Sequence, residues 1–341
     1  TLLLTLFCWG SHPWFYSGFF HIDVLRYVLP YPSTFAAALT LITLGCNQFR
    51  IETKRQILFG PVLLLTVIIL ITHPITFLLL AAGLFSQSFT EKGSTPSMII
   101  LVGSLLSLAF MISAFWPYFS MVKLLLGESD VYNASNRIMY RSVLSRIWPS
   151  LIGLPLIIAS VRSNRRHPLA LMLVILSGIY VFGALSGKYA YGRVISYIVL
   201  LLHVAIAEHL AKIEHRAKEI HNSSWLRQMI VPAIAIIFTL ILSSKPLGRT
   251  FANSLRELPP TYKNYLFLSR FTGQYDVVLS DIKSSWILPT FGGKAIAALH
   301  HLAFVSDHDA RRSDLESFFN RKTAFAERQR IIQKYNTNYL Q

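Results

Sequence analysis

The 341 residues are 53% hydrophobic and only 14% charged, with 32 Lys and Arg against 16 Asp and Glu for a formal net charge of +16, and the mean hydropathy is +0.48. That composition excludes an ordinary soluble domain of this length and reads as a polytopic membrane protein. The positive charge alone would suggest nucleic-acid binding, but much of it lies in short loops between apolar runs, which account for it.

In chain order, the opening piece TLLLTLFCW is too short to cross a hydrocarbon core of roughly 30 Å, which needs about 20 residues. It resembles the end of a helix already under way, with Thr1 as a cut, and it lacks the leader and cleavage site of a signal peptide. Residues 10–32, GSHPWFYSGFFHIDVLRYVLPYP, are aromatic and Pro-punctuated; they read as an interfacial helix or as loops packed on the spans. Spans follow near 32–46, 56–72, 74–88, 97–117, 147–161, 168–186, 191–210 and 228–243, which makes about 8 to 9 with the opening piece. Cys8 and Cys46 both lie in apolar segments, giving neither a disulfide framework nor a metal-ligand spacing.

Alternating these spans divides the loops into two sets. One holds Arg50, Lys54, Arg55, Lys92, Arg162, Arg165, Arg166, Lys212, Arg216, Lys218 and Arg227; the other holds Arg26, Lys123, Arg137, Arg141, Arg146, Lys188 and Arg193 over a longer total length. Basic residues gather on the cytoplasmic side. The first set is therefore cytoplasmic, and GKYAYGR (187–193), loop 118–146 and everything after residue 243 face outside. The NAS sequon at Asn133 falls outside and the NSS sequon at Asn222 inside.

Lys188 and Arg193 thus stand where the positive-inside rule disfavours them. One reading is interfacial anchoring by snorkelling cations and headgroup-seeking tyrosines. The other is a phosphate site, in which Lys188 and Arg193 grip a lipid phosphate or diphosphate, Tyr189 and Tyr191 add hydroxyl donors, and Gly187 and Gly192 permit the tight turn. Loop 118–146 carries Glu128, Asp130, Arg137 and Arg141 and reads as a cavity-lining re-entrant loop or a plain connector. His73, in LITHPITFLL, lies near the outer interface as either a structural His or a substrate contact.

After residue 243 the pattern changes. Residues 244–341 carry 14 Lys and Arg against 8 Asp and Glu, with short alternating stretches in place of long apolar runs. YDVVLSD (275–281) and KAIAALH (294–300) predict buried strands. SDHDARRSDLESFF predicts a helix capped by Ser306 or Asp307 that buries Leu315, Phe318 and Phe319. A second helix is expected over about 323–335, and YNTNYLQ opens another strand. The expected architecture is an α-helical polytopic membrane domain, 1–243, followed by a small extracytoplasmic α/β domain, 244–341, cut short at its C-terminus.

An outward YGR opening a span, an HP at the outer end of a span, and a tail of the form VLSD...SWILPTFGGKAIAALHH...DHDARRSDLESFF...ERQRIIQKYNTNYL together resemble the C-terminal part of bacterial GT-C membrane glycosyltransferases. The resemblance covers most of the chain, and the tail is its most specific part. It implies inverting transfer of a sugar from a polyprenyl-phosphate-linked donor to a glycan, lipid or protein acceptor at the outer face of the cell membrane. Lys188, Tyr191 and Arg193 match the donor-phosphate positions. It also implies a catalytic base in a first outer loop upstream of Thr1, which leaves Asp23, Glu128 and Asp130 as weak candidates and His73, Arg137 and Arg141 as further contacts. Some relatives use a divalent ion, although no His or acid cluster here shows ligand spacing.

Two other classes compete. A lipid or solute transporter would show internal symmetry and charged or broken helices near the midplane, and neither is visible. An O-antigen ligase or polymerase would work on similar lipids but is not expected to end in such a tail.

Overall fold

A computed structural model describes residues 1–24, 31–90, 96–117, 135–164, 166–220, 233, 236, 263–297 and 305–340. They fall into two compact units, one helical, from the described residues up to 236, and one α/β, from residues 263–340.

The helical unit contains α1 (Leu2–Phe7), α2 (Pro32–Thr53), α3 (Phe59–Thr72), α4 (Pro74–Thr90), α5 (Pro96–Ala114), α6 (Val143–Ile147), α7 (Gly153–Ser163), α8 (Pro168–Leu185) and α9 (Ile195–Ile220). Proline opens α2, α4, α5 and α8. Its fixed φ suits the first helical position, where a backbone N–H would have no intrahelical acceptor. Spans expected between 32 and 210 coincide with helices, and the piece expected at 228–243 lies almost wholly outside the described residues. Pro168–Leu185 and Tyr189–Ile213 are long and apolar enough to cross a membrane, while Gln56–Thr72, Pro74–Phe89, Met98–Ala114 and Ser150–Ser163 are apolar but shorter.

α2 packs on α3 and α4, α3 on α5, α4 on α8, and α7 on α9. Val62, Ile69, Leu80, Leu84, Val102 and Leu105 fill one core. In a second core, Trp9, Trp14 and Phe19 meet Leu176 of α8 and Tyr197, Val199 and Leu202 of α9. Residues 10–21 of the aromatic segment are loop, with Trp14 and Phe19 packed on the helices, residues 22–24 are helical, and 25–30 lie outside the described residues. Met139, in the described end of loop 118–146, enters the same core, so that end is more than a surface connector. The buried His203 ring donates from Nε2 to the Cys8 carbonyl at 3.0 Å and lies 3.0 Å from Ser150 Oγ, tying the end of α1 to α9. Large apolar side chains nonetheless point outward, among them Leu41, Leu64, Ile100, Val174 and Leu185.

The α/β unit carries β1 (Val277–Leu279), β2 (Lys294–Ala295), α10 (His308–Phe319), α11 (Phe325–Lys334) and β3 (Tyr339–Leu340). The strands form one parallel sheet in the order β2-β1-β3, with Val277 opposite Lys294 and Leu279 opposite Leu340. Successive residues of β1 face opposite sides. Val278 packs with Leu268, Ile287, Leu288 and Phe291, and Leu279 packs with Ile296, Ala297, Leu315 and Ile331. Gly292 at φ +96 and Gly293 at φ +74 make the entry to β2 a turn only glycine takes easily.

Three tail expectations need adjusting. Phe319 is 42% exposed, because α10 turns Leu315 inward and carries Phe319 to its edge. Asp307 occupies the N-cap position but makes no capping bond; its carboxylate pairs instead with Arg311 Nε at 2.9 Å. The strand expected over 294–300 is seen at Lys294–Ala295, and residues 298–300 lie outside the described residues.

Candidate functional site

GKYAYGR folds as a turn leading into a 3-10 segment, Tyr189–Val194, that runs directly into α9. Gly187, at φ +73, makes the left-handed step after α8. Gly192 is needed for close approach: a Cβ there would stand 2.7 Å from Tyr140 Cε2 and 2.8 Å from Met139 Cβ.

Arg193 lies at the end of this segment, half-buried. Its Nε donates to Asn136 Oδ1 at 3.1 Å, and its guanidinium lies 5.0 Å from the centroid of the Tyr16 ring. An amide on the edge and an aromatic face below restrict a planar cation to one orientation, which suits bidentate recognition of an oxyanion.

His73 stands between α3 and α4 and serves both. Its N–H closes α3 on the Ile69 carbonyl at 2.9 Å, and its carbonyl accepts from Thr76 N at 3.0 Å. Its Nδ1 also accepts from Thr76 N at 3.2 Å and lies 2.7 Å from Thr76 Oγ1. An acceptor Nδ1 leaves the proton of the neutral ring on Nε2. Burial, and then the nearby Arg193 charge, lower the imidazole pKa from 6.5 to about 4. The ring is therefore neutral at physiological pH. Thr76 Oγ1 is hydrogen-bonded in turn to the buried Tyr197 hydroxyl, one helical turn beyond Arg193.

A tyrosine group borders the cluster. Tyr180 donates to the Met139 carbonyl at 2.8 Å and Tyr140 to the Tyr180 carbonyl at 3.2 Å. Tyr189 meets Tyr140 edge-on at 5.7 Å, and the Arg137 guanidinium lies 5.8 Å from the Tyr189 centroid. Tyr191 packs edge-on against Phe182 at 5.8 Å. Lys188 is half-buried. Its ammonium makes no hydrogen bond or ion pair among the described residues.

The structure thus links Arg193, His73, Tyr189 and Arg137, through neighbours or charge, around one end of α9. Arg141 is exposed, and its side chain has no partner among the described residues. Asp23 lies beside buried His21, with Oδ2 3.9 Å from Nδ1. Glu128 and Asp130 are outside the described residues. Sequence reasoning missed Tyr16, Thr76, Asn136 and Tyr197. Two had a signal: Tyr197 follows Arg193 by four residues on a helix, and Thr76 is the third residue of a helix begun by His-Pro. The other two arrive through tertiary packing.

Among the described residues, no three His, Cys, Asp or Glu side chains are grouped so as to hold a metal ion. Comparison with protein-family models, curated proteins and solved structures returned no match.

Proposed function

We propose that the chain is a multi-pass protein of the cell membrane that transfers a sugar from a polyprenyl-phosphate-linked donor to an acceptor at the outer face. The observation that carries this reading is Arg193, oriented by Asn136 and Tyr16 on the segment where two cations break the charge bias of the loops. Arg193 and Lys188 would hold the donor phosphate and stabilise the charge that builds on it as the glycosidic bond breaks. Tyr189 and Tyr191 close the turn around them, and neutral His73 offers a donor without adding charge. A carboxylate would take the proton of the acceptor hydroxyl. Asp23, held beside His21, suits a scaffold contact better than that role. The α/β unit stands on the outer side in this reading.

Arg193→Gln and Lys188→Gln in the full-length protein test it. Each should weaken binding of the lipid-linked donor by about tenfold, the worth of one charge-assisted hydrogen bond, with thermal unfolding of Lys188→Gln unchanged. Undiminished sugar transfer by the double variant would overturn the site.

A further inference from the structure

On the opposite side of the predicted topology, in the last turns of α2, Arg50 is only 3% exposed. Its guanidinium donates from Nε and Nη2 to one oxygen, Asn47 Oδ1, at 3.1 and 3.0 Å. Asn47 is itself fixed, donating from Nδ2 to Gln87 Oε1 at 2.8 Å, and Gln87 donates from Nε2 to the Leu44 carbonyl at 2.9 Å. The relay aims a neutral amide oxygen at a full positive charge.

A guanidinium has five N–H donors. Two are used here, and neither a third hydrogen bond nor a carboxylate is present for Arg50 among the described residues. The nearby acid, Glu52, accepts instead from Gln48 Nε2 at 2.8 Å. Burying a cation without an anion is costly, and such charges are normally paired. The negative end of the α2 dipole offsets part of it. A solvated cation would satisfy that dipole equally well, so the dipole does not explain the burial.

We infer that Arg50 is the receptor for a phosphate, supplied by an anionic glycerophospholipid of the cytoplasmic leaflet. Asn47 and Gln87 preset the guanidinium, leaving its remaining N–H groups for phosphate oxygens. Lys54 and Arg55, exposed in the following turn, add the diffuse attraction expected of juxtamembrane cations for an acidic surface. The lipid occupies a site away from the outer-face cluster and acts as a structural ligand of the α2–α4 pair. The inference rests on the chain's residence in a bilayer and not on sugar transfer.

The test uses the full-length protein in mild detergent, stripped of lipid and titrated with phosphatidylglycerol, phosphatidylcholine or inorganic phosphate while thermal unfolding is followed. Phosphatidylglycerol should raise the unfolding temperature of the wild type, with an apparent affinity about tenfold weaker in Arg50→Gln and near wild type in Lys54→Gln. Stabilisation by inorganic phosphate equal to that by phosphatidylglycerol would overturn the lipid source while keeping the phosphate site. Equal stabilisation by both lipids with none from phosphate would overturn the anionic character of the lipid, and equal responses of wild type and Arg50→Gln would overturn the site itself. Should Arg50→Gln fail to fold, the wild-type comparison of the three additives decides alone.

Discussion

The backbone N–H of Thr76 donates to His73 Nδ1 at 3.2 Å, so the imidazole caps α4 as an Asp or Ser side chain commonly does. The proton it retains is on Nε2. The cap and the proximity of Arg193 both require a neutral ring, and protonation would oppose each.

This sets a pH dependence. The folded imidazole titrates at about 4, against 6.5 as the ordinary value. Between those pH values the unfolded chain binds more protons than the folded one, so stability falls as pH is lowered through that window. It is fully present above about 6.5 and changes no further, from this group, below about 4. Thermal unfolding across this range should show a loss of up to about 3 kcal/mol. In His73→Asn, which keeps a capping oxygen and cannot titrate, that dependence should flatten. An unchanged slope in the variant would place the titrating group elsewhere.

Gly192→Ala and Gly178→Ala should move stability in opposite directions. A Cβ at Gly192 meets the Tyr140 ring and Met139 inside 3 Å, and both neighbours are held by the Tyr140–Tyr180 hydrogen bonds. Overpacking of this kind costs about 1–3 kcal/mol, and by moving the turn it should also weaken donor binding. Gly178, within α8, has nothing within 4 Å of its would-be Cβ. Alanine there gains about 1 kcal/mol from helix propensity alone. Chemical or thermal unfolding of the two variants checks both signs.

In the α/β unit, Asp314 of α10 binds α11 and its end: Lys334 Nζ and Tyr335 OH both lie 2.6 Å from its Oδ2, and Arg330 Nη2 lies 3.5 Å from Oδ1. Burial pushes the carboxyl pKa up, but the hydrogen bonds from Lys334 and Tyr335 and the two positive charges outweigh it and leave it below the usual value. The folded state therefore favours the carboxylate. That stability is present above the unfolded pKa, near 3.9, and is lost as pH falls through the folded one. Asp314→Asn should destabilise the α10–α11 pair by about 1–3 kcal/mol, read as faster hydrogen exchange over residues 308–334 with little change in α2–α4.

Much of this fold was legible because its determinants are local. Long apolar runs bounded by Pro32, Pro74, Pro96 and Pro168 mark helices whose starts agree with the structure to a residue or two. Val277–Leu279, between polar turn residues, could hardly be anything but a buried strand. What stayed hidden depends on residues distant in sequence. Nothing in YNASN marks Asn136 as the partner of Arg193 57 positions later, and nothing in HPWFY singles out Tyr16 from its aromatic neighbours as the ring beneath that guanidinium. Arg50 illustrates the opposite failure. Counting it as one more loop cation concealed that it is buried, because burial follows from how α2 meets α4 and not from charge pattern.

The orientation of the helical unit can be tested independently of any activity. With Cys8 and Cys46 replaced by serine, a cysteine introduced at Ala190, in the turn between α8 and α9, should react with a membrane-impermeant thiol reagent applied to intact cells. One introduced at Asn164, at the far end of α8, should react only after permeabilisation. The 18 residues of Pro168–Leu185 separate the two positions, at about 1.5 Å rise per residue close to the thickness of a hydrocarbon core. A helix of that length crossing the bilayer must place the two labels on opposite sides. If both react from outside, α8 lies on the membrane or in water, and the phosphate cluster loses its leaflet. If the pattern is inverted, Arg193 faces the cytoplasm and Arg50 the outside. Sugar transfer at the outer face and lipid binding in the cytoplasmic leaflet would then both be overturned, while the geometry around each arginine would stand unchanged.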